Sequence, residues 1–140
     1  MTGWLLDTNV LSELRRPKPD RKVVAFVAAQ PLDTLFISTV TLAEIRFGIE
    51  QAADAGKRSD LTDWLTHKLR PMFDGRVLPV SEDVMLKWRL LVEAGRQARH
   101  TYTQPDLIIA ATGLHYDLTV VTRDVTDYVR TGVPVLNAWL

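Results

Sequence analysis

A chain of 140 residues and 15.8 kDa can bury a core but is too short for two ordinary domains, so positions 1–140 are expected to form one. Its 46% hydrophobic and 24% charged residues are ordinary for a globular protein, and the lack of cysteine excludes disulfides and thiolate metal sites. Seventeen basic residues balance seventeen acidic ones, which excludes a grip on nucleic acid by bulk positive charge but leaves room for a local basic patch.

No apolar run approaches the roughly 18 residues that a membrane span needs. The N-terminus also lacks a basic-then-apolar signal pattern. The expected compartment is therefore the cytoplasm, with no membrane partner.

The first β-like run, Trp4-Leu5-Leu6, ends on Asp7 in the string Leu5-Leu6-Asp7-Thr8-Asn9, and a helical stretch follows. The densest basic segment comes next: Arg15-Arg16-Pro17-Lys18, with Arg21 and Lys22. It reads either as a patch that steers RNA phosphates or as a basic helix end running into a solvated loop. After the second run, Leu35-Phe36-Ile37, residues Leu42, Ile45 and Ile49 share a helix face, and Glu44 lies one or two turns past the strand. Gly48, inside that helical pattern, costs about 1 kcal/mol against alanine. A close helix contact or dimer packing is expected to explain it.

Leu61, Trp64, Leu65 and Leu69 predict another helix. The third run, Val77 to Val80, contains Pro79 and precedes a helix with Val84, Trp88, Leu91 and Val92 on one face, closed by Arg96, Arg99 and His100, where cations complement the dipole. Pro105 to His115 reads as a mostly buried helix opened by Asp106. The fourth run, Leu118 to Val121, leads into Thr122-Arg123-Asp124, and the fifth, Val133 to Leu136, contains Pro134.

Short strands separated by crossover-length helices imply a parallel sheet covered on both faces, a three-layer α/β/α domain of about five strands. Proline removes a ladder donor, so the third and fifth strands are expected at the edges. The resulting order is 3-2-1-4-5, with the ligand crevice beyond the carboxyl ends of the strands.

Asp7, Glu44, Asp106 and Asp124 all fall along that edge. Each also reads as a helix-terminal acid: Asp7 and Asp124 as N-caps, and Thr41-x-x-Glu44 and Thr103-x-x-Asp106 as capping boxes. Together they read differently, because carboxylates around one crevice repel one another unless a cation lies among them. Hard oxygen ligands favour Mg²⁺ or Mn²⁺, and such a site suits phosphodiester hydrolysis. The residues themselves do not name the phosphoester.

Four strings carry a resemblance: Leu5-Leu6-Asp7-Thr8-Asn9-Val10-Leu11-Ser12-Glu13-Leu14, Ser38-x-x-Thr41-Leu42-Ala43-Glu44-Ile45-x-Phe47-Gly48, Pro105-Asp106-Leu107-Ile108-Ile109-Ala110-Ala111-Thr112, and Val121-Thr122-Arg123-Asp124-x-x-Asp127-Tyr128. In this order they resemble PIN-domain toxins of the VapC type, near the FitB-like branch, over essentially the whole chain. The resemblance implies an endoribonuclease using Mg²⁺ or Mn²⁺ held by Asp7, Glu44, Asp106 and Asp124. It further implies Thr8 and Thr122 as polar neighbours orienting metal water or phosphate, a homodimer, and a cognate VapB-like antitoxin in a higher assembly. Asp127 reads as an acid supporting the cluster from outside or as a solvated surface acid. Arg123 reads as a phosphate contact or as the ion-pair partner of a neighbouring acid.

His67, His100 and His115 lack ligand spacing, and the four tryptophans read as core or interface. A haloacid-dehalogenase-type phosphatase needs an acid where Asn9 stands. A receiver-type domain needs an acidic pair and a lysine after late strands, which Thr122-Arg123 does not offer. The alternative from another class is a non-catalytic RNA- or protein-binding module on the same scaffold, whose sign would be a missing carboxylate. None of the four is missing.

Overall fold

Side chains of a strand point alternately to the two faces of its sheet, and this chain's short apolar runs use both. The computed structural model describes residues 3–140. In chain order it runs β1 (Trp4–Leu6), α1 (Thr8–Arg15), α2 (Arg21–Ala29), a 3₁₀ turn (Leu32–Thr34), β2 (Leu35–Ser38) and α3 (Thr39–Gln51). There follow α4 (Ala55–Trp64), a π-helical turn (Leu65–Leu69) continuing into α5 (Arg70–Met72), β3 (Val77–Leu78) and α6 (Glu82–Gln97). The chain closes with α7 (Gln104–Tyr116), β4 (Thr119–Val121), α8 (Val125–Val129) and β5 (Val135–Leu136).

The five strands form one parallel sheet in the order β3-β2-β1-β4-β5, as the proline positions predict. The two edge strands are shorter than the apolar runs that announce them. Pro79 lies just past β3, and Pro134 precedes β5, offering its carbonyl to Val120 N–H at 2.9 Å. A proline can accept from the ladder but cannot donate to it.

Leu6, Leu35, Ile37 and Val121 face one layer, packed with Val10, Leu11, Val23, Leu42, Leu65 and Leu69 from α1, α2, α3 and the π-helical turn. Leu5 and Val120 face the other, against Ile109 and Ala110 of α7 and Tyr128 of α8, with Leu91 of α6 alongside. Full burial of each such side chain contributes about 1.5–3 kcal/mol. α7 lies deepest, with Leu107 and Ile109 to Gly113 all buried. A Cβ on Gly113 would stand 2.8 Å from Val133 Cγ2 and 3.2 Å from Val120 Cγ2, so the glycine lets this helix lie directly on the sheet.

The sequence reading missed one helix. Arg21 and Lys22 do not continue a solvated loop; they open α2, whose N-cap Asp20 accepts from Lys22 N–H at 2.8 Å and Val23 N–H at 3.3 Å. Among the described residues no helix is long and apolar enough to cross a membrane.

Candidate metal centre

In a parallel sheet the chain leaves every strand at the same edge, so side chains just past different strands can meet. Asp7 follows β1, Glu44 is in the second turn of α3 after β2, Asp106 is in the first turn of α7, and Asp124 precedes α8 after β4. All four line one open cavity of ≈ 540 Å³, together with Thr8, Asn9, Arg15, Arg123 and Trp139.

Three consecutive residues after β1 tie its end to α3, to α8 and to the segment after β4. Asp7 Oδ1 accepts its neighbour's amide, Thr8 N–H, at 2.8 Å, while Oδ2 accepts the Thr122 hydroxyl at 2.8 Å and the Tyr128 hydroxyl at 2.9 Å. Thr8 donates its hydroxyl to Glu44 Oε1 at 3.0 Å. Asn9 Nδ2 donates to Thr122 Oγ1 at 3.1 Å and Asp124 Oδ2 at 3.2 Å. Thr122 Oγ1 also accepts Asp124 N–H at 3.0 Å, so this one hydroxyl joins the ends of β1 and β4.

Asp106 accepts from Thr103 Oγ1 at 2.6 Å and Tyr128 OH at 3.3 Å. The capping readings of the acids largely fail. Ser38, not Thr41, caps α3, which leaves Glu44 beyond the capping-box position. Thr103 caps no backbone amide, and Asp124 stands at the N-cap of α8 without a capping bond. Asp7 occupies the N-cap of α1 but bonds only the first amide.

Among the described residues every hydrogen-bond donor to the four acids is neutral. The ion pairs among the described residues are Arg16–Glu13 and Arg96–Glu93, and neither involves the cluster. Asp7 is 4% exposed; burial pushes its carboxyl above the ordinary range, and the Asp106 charge pushes the same way against the three hydrogen bonds. Burial likewise raises Glu44, with the Asp7 and Asp106 charges adding to it against the Thr8 bond. Burial, then the same two charges, holds the Tyr128 hydroxyl protonated far above its usual range.

Among the described residues no three acids or histidines are drawn around one point closely enough to hold an ion by side chains alone. Mg²⁺ usually keeps several waters and is bound through one or two carboxylates. The donor set of hard anionic oxygens, in no ion pair among the described residues and braced by neutral hydroxyls and amides, fits such an ion.

Other predicted positions are distributed around this centre. Thr8 and Thr122 lie within it. Arg123 lines the cavity, its guanidinium 5.1 Å from the Trp139 ring centroid rather than paired with Asp124. Asp127 is exposed on α8 and does not line the cavity. Arg15 and Arg16 both line it, and Arg16 is held there by Glu13, whose carboxyl is lowered chiefly by Asp20 N–H and also by Arg16. None of the three histidines lines it.

Gly48 has no close helix contact: a Cβ there would meet nothing within 4 Å. It lines instead an adjoining groove of ≈ 340 Å³ with Ile45, Ile49, Leu61 and Trp64, which shares Thr8, Arg15 and Glu44 with the acidic cavity. Two residues of the centre escaped the sequence reading, Asn9 and Tyr128. The available signal is that each sits in a string with one of the four acids, Asn9 two places after Asp7 and Tyr128 four after Asp124.

A family model described as PIN domain matches residues 4–131. VapC ribonuclease Y4jK of Sinorhizobium fredii is 37% identical over 136 residues, 96% of each chain. The crystal structure of FitAcB from Neisseria gonorrhoeae superimposes with a TM-score of 0.91 at 34% identity, covering 97% of this chain and 98% of that one. The structure of VapBC-5 from Mycobacterium tuberculosis, a member of the VapBC family of toxin-antitoxin systems, superimposes with a TM-score of 0.67 at 25% identity, covering 97% of both chains.

Proposed function

The chain belongs to the PIN-domain family, and on that premise we propose that it is the toxin of a toxin-antitoxin pair: an endoribonuclease that hydrolyses RNA phosphodiester bonds with Mg²⁺ or Mn²⁺ held by Asp7, Glu44, Asp106 and Asp124. The observation carrying this reading is the convergence of four acids from separate elements on one cavity, hydrogen-bonded only by neutral donors. The ribonuclease name of the 37%-identical relative supplies the reaction class.

The bound ion would supply an activated water and stabilise the leaving oxygen. The chain's own residues orient its ligands. Thr8 N–H, Thr122 and Tyr128 fix both oxygens of Asp7; Thr8 turns Glu44 inward; Thr103 and Tyr128 hold Asp106; Asn9 holds Asp124. Arg15 and Arg123 on the rim bind substrate phosphates, offsetting the repulsion between an anionic backbone and an acidic cavity.

The partner is an antitoxin of the kind in the toxin-antitoxin complexes it resembles. The groove lined by Ile45, Ile49, Leu61 and Trp64 gives such a partner an apolar surface beside the acids. A guanidinium brought in there fits a carboxylate cluster and competes with the metal. The toxin acts in the cytoplasm as a homodimer, for which Leu86 and Leu90, exposed one turn apart on α6, provide apolar surface.

Cleavage of single-stranded and structured RNA with Mg²⁺ or Mn²⁺, with and without EDTA, tests the reading. EDTA should abolish cleavage. Asp7→Asn and Asp106→Asn should each cost at least about 100-fold, since even partners of metal ligands are worth 10–100-fold. Metal-independent cleavage would sink the mechanism. RNA binding without cleavage under every condition would favour a non-catalytic module instead.

A further inference from the structure

We infer that Tyr128 is a positioning residue whose single hydroxyl bridges Asp7 and Asp106 and sets the spacing of these two carboxylates for one divalent ion. The inference rests on the metal-dependent reading above and names a residue that the acidic pattern does not include.

Tyr128 is the buried residue of α8, with its ring packed in the core layer that includes Leu5, Ile109 and Val120. Phenylalanine would satisfy that packing. Carrying a hydroxyl into a dry core costs free energy unless it is bonded. Its single proton is shared in a three-centre bond between two carboxylates, Asp7 Oδ2 at 2.9 Å and Asp106 Oδ1 at 3.3 Å.

The two acids depend on it unequally. Asp7 keeps the Thr122 hydroxyl and Thr8 N–H without it. Among the described residues Asp106 then keeps only Thr103, the exposed N-cap of its own helix, and Tyr128 is the one that links the Asp106 carboxylate to the body of the protein.

Lone-pair accounting shows what the bridge leaves free. A carboxylate offers about four acceptor positions. Thr122 and Tyr128 fill both on Asp7 Oδ2, leaving one on Oδ1 beside Thr8 N–H, while Asp106 keeps one on each oxygen. The hydroxyl thus holds two like charges close together while each keeps an unfilled position for an ion. Orienting partners of this type typically contribute 10–100-fold in metal affinity.

The test is calorimetric titration of the purified, metal-free full chain with Mn²⁺, together with RNA cleavage, for the wild type, Tyr128→Phe, Asp106→Asn and the double variant. Tyr128→Phe should weaken Mn²⁺ binding about 10-fold or more and lower kcat at fixed Mn²⁺ with KM for RNA unchanged, activity returning as Mn²⁺ is raised. In the Asp106→Asn background it should add less than about twofold, because its main dependent is already gone. Replacement of Tyr128 by 4-aminophenylalanine, which keeps a donor at the same point, should restore Mn²⁺ binding to within about threefold of the wild type.

Mn²⁺ affinity in Tyr128→Phe within about twofold of the wild type would overturn the inference while leaving the metal site standing. So would a full additive loss in the double variant, a Phe variant that does not fold, or an amino variant as weak as the Phe one. A wild type that binds no Mn²⁺, or binds it equally after Asp7→Asn, overturns the metal reading and this inference with it.

Discussion

Asp7 is buried, carries a raised carboxyl pKa and has no cationic partner among the described residues. The folded state therefore holds its proton more tightly than the unfolded chain. Between the ordinary carboxylate pKa and the raised one, folding binds protons, so the Asp7 contribution to stability falls as pH rises through that window. Asp7→Asn has no such titration. Melting both proteins without metal from about pH 4 to about pH 8 should show the wild type losing ground to the variant as pH increases. A pH-independent gap would mean that Asp7 titrates alike in both states. With Mn²⁺ present the order should reverse, because only the wild type gains from binding the ion.

At this scale the four acids were legible because they fall just past strands or at a helix start, which a parallel sheet gathers on one edge. Tyr128 was hidden, since an aromatic residue after a strand reads as core until its hydroxyl's partners are known. Of the two readings of Asp127, the solvated surface acid is the one that stands, for a definite reason. Counting helix faces from Asp124 assumes that Asp124 is helical, but its φ of −90° and ψ of 56° place it outside α8.

Two glycines separate packing from access at the scale of elements. Gly113 on α7 has Val133 and Val120 side chains where a Cβ would go, and a β-branched neighbour has little freedom to move aside. Gly113→Ala should cost about 1–3 kcal/mol in urea unfolding, and an unchanged midpoint would contradict the close contact. Gly48 in α3 is exposed with open space around it. Gly48→Ala should stabilise the isolated chain by up to about 1 kcal/mol by removing the helix-interior penalty. A loss would mean that the glycine is needed within the chain itself.

Of the helices that position the site, α3 and α6 are read from their 3.6-residue periods, and α7 from an apolar stretch long enough to be a buried helix. α2 was missed because Val23 to Val27 is a continuous apolar run, which gives periodicity little to distinguish, and because the basic cluster before it reads as loop. Its start signal was local: Asp20 three residues before Val23, whose amide it caps.

For the molecule as a whole, a net charge of zero conceals an uneven distribution. Acids gather in the cavity past the sheet's carboxyl edge, while Arg15 and Arg123 stand on its rim. Sheet order was legible because two prolines mark its edges, and order in turn decides which acids meet. The groove beside the cavity was not legible, because it depends on how α3 and α4 lie against each other rather than on either alone. Anomalous scattering from crystals of the full chain equilibrated with Mn²⁺ tests directly the proposal that this edge of the sheet holds a divalent cation. A peak is expected within about 2.3 Å of carboxylate oxygens from at least two of Asp7, Glu44, Asp106 and Asp124, with waters completing the shell. Crystals saturated with Mn²⁺ that show no peak in this cavity, from a preparation that still cleaves RNA, would contradict it.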